Sequence, residues 1–329
     1  MSVTVVALPG DGVGPEVLDE AERLLAEIRP DVRLERYPFG GAGIDACGDP
    51  LPPETLAAAR ANPLVLLGAV GGPAWDGAPR RPEEGLIQIR AELGVYANLR
   101  PARHDRVDLI IVRELLGGLY YGARGTRPDG TVFDTCEYTP AQVERLARRA
   151  FELARTRSGR LLSVDKANVL ETSRMWRRVV TELAVEYADV ALTHALVDST
   201  AMRLVTDPET FDVLVMENAF GDILSDVAAG SAGGLGIAAS ASLGGGGAAL
   251  YEPVHGSAPD IAGRGIANPA AMLRSVALML RHSLDDAALA DRVDDAVDTA
   301  LAGSPTPDLG GSATTRGLTD HVLGHLRPR

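Results

Sequence analysis

Six apolar runs, "VTVVAL", "LVLLGAV", "DLIIVREL", "RLLSVDK", "VALTHALV" and "FDVLVMEN", recur along the chain with stretches of helical period between them. That alternation limits the possible folds more than any other feature. Runs of this kind read as strands, and the stretches between them as helices. "EVLDEAERLLAEI", "AQVERLARRAFELARTR" and "RMWRRVVTELAVEYA" have the period those helices need. The pattern therefore reads as α/β with a largely parallel sheet. At 329 residues the chain suits one large domain or two intimately joined ones. Only 4% of it is aromatic, so its core must be built from Ala, Val and Leu. The longest uncharged run, "VAAGSAGGLGIAASASLGGGGAALY" (Val227 to Tyr251), is mostly small residues, whereas a membrane span would be richer in large apolar ones. It reads as a helix followed by a Gly-rich loop. "SPTPDLGGSATTRG" reads as a surface loop before a short final helix.

A net charge of −13 argues against a nucleic-acid-binding surface and for a soluble protein without membrane association. Two cysteines, Cys47 and Cys136, make no disulfide framework and suggest a reducing compartment. The first residues run directly into a strand, with neither a basic nor a long apolar leader segment, so no signal peptide is expected and the cytoplasm is the expected location.

Several groups of residues carry chemistry. "GDGVGPE" follows the first strand, with Pro15 and Glu16 suited to a helix start. Its spacing is G-x-G-x-G-P, not the G-x-G-x-x-G of a dinucleotide loop, and Pro15 removes an amide that would face a pyrophosphate. In "ENAFGDILSD", Asp222 and Asp226 share one helical face, where two like charges repel unless a cation lies between them. With Asp198 in "ALVDSTAMRLV", they would suit a hard divalent ion, Mg²⁺ or Mn²⁺; the alternative is a solvated helix face. Lys166 ends the strand of "LLSVDK". Beside a metal and arginines its ammonium would be destabilised, making it a candidate proton acceptor; alone it would be an ordinary strand-end charge. Arg90, Arg100 and Arg113 lie in "GLIQIRAEL", "ANLRPAR" and "IIVREL". Arg113 closes an apolar strand and must meet a carboxylate, either the protein's or a substrate's. Tyr120 follows two glycines that allow close backbone approach, and nothing local separates it from Tyr121. His321 and His325 have helical metal spacing but no third ligand nearby in sequence, and read as surface.

Taken together, "GDGVGPEV", "GGAGIDACGDPLP", "LLGAVGGPAWD", "ANLRPAR", "VRELLGGLYYG", "VDKANVLETSRMWR", "VDSTAMRLV", "NAFGDILSD", "EPVHGSAPDIAGRGIANP" and "TPDLGGSA" resemble the β-decarboxylating dehydrogenases, the family acting on isocitrate, isopropylmalate, homoisocitrate and tartrate. The likeness spans almost the whole chain. It implies an isocitrate/isopropylmalate dehydrogenase-type two-domain α/β fold with parallel and mixed sheets, not a Rossmann fold. One discontinuous domain, 1–95 plus 233–329, would bind the cofactor; the other, 96–232, would carry substrate, metal and dimer contacts. "GDGVGPE" would border the cleft. Arg90, Arg100 and Arg113 would clamp the carboxylates of a malate-type substrate, with Asp222 and Glu83 also among the substrate-binding residues. Asp222 and Asp226 would bind the metal, with Asp198 and the proton acceptor Lys166 supplied by the second subunit of a homodimer with shared active sites. Tyr120 would protonate the enolate left as CO₂ departs.

The resemblance also places NAD against His255, Gly256, Ser257, Ala258, Pro259, Asp260, Ile261 and Asn268. A carboxylate at 260 accepts both ribose hydroxyls but repels a 2′-phosphate, and relatives that use NADP have a basic residue and a tyrosine in place of Asp260 and Ile261. In "PEEGLIQIR", Glu83, Leu86 or Ile87, and Arg90 share a helical face. Leu86 and Ile87 would line the pocket for the C3 substituent, joined by Val169 of the partner subunit. Isocitrate-type relatives have a serine or threonine in this stretch; here there is none, so an apolar group such as isopropyl is favoured. Three features depart from the family pattern: a shortened segment after Arg103, Leu116 in place of a threonine, and Ala219 in place of a leucine. They keep open a paralogue acting on another 3-alkyl- or 3-arylmalate or on tartrate. A non-catalytic NAD-binding subunit is the reading from a different class.

Overall fold

The structure, a computed structural model, describes residues 2–104 and 107–327. It divides into two compact units, residues 1–95 with 235–329, and residues 96–234. The chain begins the first unit with β1 (Val3–Gly10), α1 (Gly14–Ile28), β2 (Val32–Arg36), α2 (Gly41–Cys47), α3 (Pro53–Ala61), β3 (Leu64–Ala69) and α4 (Pro82–Leu93). It builds the second from β4 (Ala97–His104), β5 (Val107–Glu114), β6 (Arg124–Thr126), β7 (Val132–Asp134), α5 (Pro140–Arg155), β8 (Arg160–Asp165), α6 (Glu171–Leu183), β9 (Ala191–Leu196), α7 (Val197–Thr206), β10 (Val213–Met216) and α8 (Asn218–Ser231). It returns to the first with β11 (Ala239–Leu243), β12 (Ala249–Pro253), α9 (Ala270–His282), α10 (Ala287–Gly303) and α11 (Thr315–Leu326).

Strands of the first unit run in the order β2-β1-β3-β12-β11. β1 pairs in parallel with β2 and β3, and β3 in parallel with β12; β12 and β11 are antiparallel. Val5, Val6, Ala7 and Leu8 are fully buried, as a central strand covered on both faces requires. Helix α1 presents Val17, Leu18, Ala21, Leu24 and Leu25 to the core, one stripe at i, i+4, i+7. Each of its leucines contributes about 1.5–3 kcal/mol by burial. Helix α9 is buried nearly all round, from Ala270 to Leu280, and is the central helix of this unit.

Residues 227–251 differ from the expected helix and Gly-rich loop. Helix α8 ends at Ser231, and the rest contains the strands β11 and β12, both buried throughout, with the Gly-rich loop reduced to the exposed turn at Gly245–Gly247. "ASASL" lacks the large β-branched residues that mark a strand. Its Ala and Ser side chains, with Ser240 and Ser242 buried, let α9 pack closely on this part of the sheet.

In the second unit the order is β4-β5-β10-β8-β9. β4 and β5 are antiparallel; β5, β10, β8 and β9 are parallel neighbours. The shortened segment noted after Arg103 falls on the β4–β5 join, whose residues 105 and 106 lie outside the described ones. "TPAQ" starts α5 as a reciprocal cap: the Thr139 hydroxyl accepts from the Gln142 amide at 3.3 Å, and the Gln142 side chain accepts from the Thr139 amide at 2.8 Å. The parallel strands deliver their carboxyl ends to one edge of the unit. There Arg113, Lys166 and the start of α8 emerge.

Among the described residues no helix is long and apolar enough to cross a membrane. Cys47 and Cys136 are free thiols.

Candidate active site

Helix α8 starts one residue after β10, capped by Glu217, whose carboxylate accepts from the Phe220 amide at 3.3 Å. Asp222 and Asp226 share its polar face, as their spacing predicts. A cation does lie between them: Arg100 of β4 approaches Asp222 at 3.4 Å and Asp226 at 3.3 Å, and donates to Ser225 at 2.7 Å and Asn98 at 2.8 Å. Burial pushes the Asp226 carboxyl above its ordinary range; the charge of Asp222 adds to this, and Arg100 opposes it.

Arg113, at the end of β5, is 2% exposed. It meets the protein carboxylate of the two possibilities: Nη1 donates to Asp222, while Nε and Nη2 donate to the Asn218 carbonyl at 3.0 and 2.7 Å. Gly221 is dictated by this packing, because a Cβ there would lie 2.5 Å from Cγ of Arg113. A glycine inside a helix costs about 0.5–1 kcal/mol, which the close passage over the arginine stem requires.

Tyr120 donates to the second oxygen of Asp222 at 2.9 Å, and the Arg113 guanidinium lies 5.7 Å from its ring centre. Burial, then the hydrogen bond to Asp222, holds the phenol above its ordinary range, so its proton is retained. Arg100, Arg113, Tyr120, Asp222 and Asp226 thus form one cluster.

Lys166 and Asp198 form another. The Lys166 ammonium lies 2.6 Å from Asp198, whose carboxyl that hydrogen bond holds below its ordinary range. The turn is held from behind: Ser173 accepts from the Lys166 amide at 3.0 Å, and Asp165 from the Ala167 amide at 2.9 Å. Asp165 is itself buried and gripped by Arg177 at 2.8 and 2.9 Å. Val169 stands exposed one turn on. Among the described residues of one chain, no three His, Cys, Asp or Glu side chains converge as a metal site, so Asp198 does not join Asp222 and Asp226 there.

In the first unit, α4 turns Glu83 and Ile87 outward, with Leu86 and Arg90 half-buried on the same face. Arg90 pairs with Glu252 at 2.7 Å, and its Nε is buried without a partner among the described residues. The loop after β12 contains His255, whose Nδ1 lies 2.9 Å from the Gly256 carbonyl. Burial pushes this imidazole below its ordinary range, toward the neutral form, and its Nε2 is buried with no partner among the described residues. Ala258 has φ of +39°, uncommon for a residue with a Cβ. Ser257 is buried, while Gly256, Pro259 and Asp260 are exposed and Ile261 is half-buried. The side chain of Asn268 is occupied structurally, donating to Asp308 at 3.1 Å and accepting from the Ala270 amide at 3.0 Å.

"GDGVGPE" braces this loop. The Ser257 carbonyl accepts from Val13 at 2.8 Å, and a Cβ on Gly12 would collide with that carbonyl. Glu16 accepts from Gly263 and Gly265, each at 3.3 Å. Its glycines are needed for close backbone approach. His321 and His325 lie exposed on α11.

A family model described as isocitrate/isopropylmalate dehydrogenase matches residues 4–322. The chain belongs to the isocitrate/isopropylmalate dehydrogenase family. It is 50% identical over 343 residues to the 3-isopropylmalate dehydrogenase of Deinococcus radiodurans, covering 98% of this chain and 97% of that one. To the 3-isopropylmalate dehydrogenase of Listeria innocua it is 46% identical over 346 residues, covering 99% of each. Among solved structures, isocitrate dehydrogenase from Methylococcus capsulatus superposes with a TM-score of 0.92 at 36% identity, over 99% of this chain and all of that one. A β-decarboxylating dehydrogenase from Thermococcus kodakarensis superposes with a TM-score of 0.86 at 39% identity, over 98% of this chain and 96% of that one. The fold expected of the isocitrate/isopropylmalate dehydrogenase family is the one found. The chain is an enzyme, a decarboxylating dehydrogenase acting on a small molecule, which disposes of the non-catalytic subunit.

Several residues that hold the candidate site together escaped the sequence reading. Asn218, Glu217, Tyr138 and Asp165 act by hydrogen bonds to backbone or to arginine. Glu252 sits within the quoted "EPVHGS" but pairs with an arginine 162 residues away. Only the helix-cap position of Glu217, just ahead of "NAFGD", carried a local signal.

Proposed function

We propose that the chain is an NAD-linked, Mg²⁺- or Mn²⁺-dependent 3-isopropylmalate dehydrogenase, forming 4-methyl-2-oxopentanoate for leucine biosynthesis in the cytoplasm. The observation that carries this reading is the cluster of Arg100, Arg113, Tyr120 and Asp222. Two guanidinium groups can hold a substrate carboxylate, and a phenol that keeps its proton lies beside them. Arg90, whose Nε has no partner among the described residues, keeps the carboxylate-binding role that the resemblance implies.

The residues fit both groups that the activity requires. Asp222 and Asp226 present only oxygen donors, as a hard cation prefers, and burial of Asp226 disfavours its charged form, which a bound cation would offset. Asp198 of a second copy would complete the set. Met202, Val205 and Ile223, exposed apolar side chains on α7 and α8, support pairing of two copies. For the dinucleotide, the orphaned Nε2 of His255 offers a bond to the adenine half, and exposed Asp260 suits the ribose hydroxyls. Bound NAD supplies the hydride acceptor, and bound Mg²⁺ or Mn²⁺ supplies positive charge beside the substrate oxygens. Lys166, from the partner chain, would take the hydroxyl proton on Nζ in its neutral amine form, and Tyr120 would deliver its phenolic proton to C3. The first unit would hold the cofactor, and the second the substrate, metal and dimer contacts.

Leu86 and Ile87, with Val169 of the partner subunit, give the C3 substituent an apolar wall worth about 1.5–3 kcal/mol to a branched alkyl group. Steady-state rates with isopropylmalate, isocitrate, tartrate and benzylmalate, with NAD and Mg²⁺ or Mn²⁺ present, test the reading. Isopropylmalate is expected to lead by about tenfold or more in kcat/KM. Isocitrate in first place would overturn it. Benzylmalate in first place would select the second reading, a paralogue for bulkier malates, which Leu116 and Ala219 motivate.

Cofactor choice is a separate expectation. Asp260 should give NAD at least about a hundredfold advantage over NADP in kcat/KM, or about 2.7 kcal/mol. Comparable efficiency with both, measured at saturating malate, would contradict the role assigned to Asp260.

A further inference from the structure

We propose that Asn218 is a positioning residue that sets Arg113 and Tyr120 at a fixed angle to one another over Asp222. This inference rests on the roles proposed above for those two side chains. Arg113 comes from the end of a strand and Tyr120 from the turn that follows, so chain connectivity alone does not align them. The Asn218 side chain, buried to 1% exposure, does. Its carbonyl accepts from Nε and Nη2 of Arg113 at 3.0 and 2.7 Å, leaving Nη1 for Asp222. Its amide nitrogen donates at 3.0 Å to the carbonyl of Gly117, three residues ahead of Tyr120. The amide can sit only one way round, because a guanidinium only donates and a carbonyl only accepts.

The hub is held from behind. The backbone amide of Asn218 donates to the Tyr138 hydroxyl at 3.0 Å, and that hydroxyl donates to buried Glu217 at 2.9 Å. The same ring fills the space beside the turn: a Cβ on Gly117 would lie 2.5 Å from Tyr138, and one on Gly118, whose φ is +73°, would collide with its hydroxyl. Turn, arginine and helix α8 therefore meet at one side chain.

Asn218→Asp separates this role from simple packing. It keeps acceptor oxygens toward Arg113 but sets an oxygen against the Gly117 carbonyl, so the turn bearing Tyr120 should shift while carboxylate binding persists. With 3-isopropylmalate, kcat is expected to fall by about tenfold or more, with KM changed by less than about threefold. The solvent deuterium isotope effect on kcat should rise, as it should in Tyr120→Phe. Tyr138→Phe, which preserves shape, should show the same signature more weakly and answers the question if Asn218→Asp does not fold. Normal kcat and isotope effect in a folded Asn218→Asp would overturn the proposal, as would a kcat loss without any isotope change. Normal kinetics in Tyr120→Phe would instead overturn the assignment of Tyr120, so the two failures are distinguishable.

Discussion

Replacing Lys166 by alanine is expected to lower kcat by about 10²–10⁴-fold with the fold intact, the range for removing a positioned general base. The ammonium is bound by Asp198 at 2.6 Å and otherwise supports nothing in the core, so its loss should leave stability within about 0.5 kcal/mol. Asp222→Asn should be comparably inactive, because Asp222 receives Arg113 and Tyr120 and approaches Arg100. The two variants together test something that neither does alone. If each site combines Lys166 from one chain with Asp222 from the other, a mixed dimer holds one doubly damaged site and one intact site. Co-refolding equal amounts should then restore about a quarter of parental activity, because half of random dimers are mixed and half of their sites are whole. Sites contained within single chains would stay dead on mixing, and that outcome would remove the shared site. Titrating metal binding in the same mixtures gives a readout that does not depend on turnover.

Much of the strand framework was legible because β1, β3, β5, β8, β9 and β10 are short apolar runs that end in turns or polar residues. The hairpin β11–β12 was not, since Ala, Ser and Gly carry no strand signature and serve the approach of α9. β4 was hidden for another reason: Arg100, Pro101 and Arg103 disguise it, and Arg100 faces Asp222 and Asp226 of the candidate site. Within the site, spacing alone was enough to place Asp222 and Asp226 on one face, and a guanidinium ending an apolar strand pointed to Arg113. Their partners were illegible. Asn218 is uncharged, and its bonds reach back 105 residues to Arg113 and 101 to Gly117. Hydrogen bonds to a backbone brought close only by folding leave no period and no charge pattern to read.

Asp11 is the extreme case of such a residue, and its replacement should have the largest effect on stability. Part of "GDGVG", it is 4% exposed and accepts from the amides of Gly41 and Ala42 at 2.9 Å each and of Gly71 at 2.8 Å. One carboxylate thus ties the end of β1 to the start of α2, 30 residues on, and to the segment after β3, 60 residues on. Burial pushes its carboxyl above the ordinary range, and the three amides pull the other way. The charged form is tolerated only while all three bonds are made. Asp11→Ala leaves three buried donors unsatisfied, whereas Asp11→Asn keeps one oxygen for the Gly41 and Gly71 amides and turns its NH2 toward the Ala42 amide, so the isosteric change should be the milder of the two. Asp11→Ala is expected to cost about 3–5 kcal/mol, and Asp11→Asn less. In thermal unfolding the alanine variant's loss corresponds to a midpoint lowered by roughly 10 °C. Because Asp11 belongs to the "GDGVGPE" turn, which braces the loop proposed to hold NAD, NAD binding by the variants should weaken before the fold is lost. A midpoint within about 2 °C of the parent for Asp11→Ala would show that water or a shifted loop satisfies those amides as well as the carboxylate does.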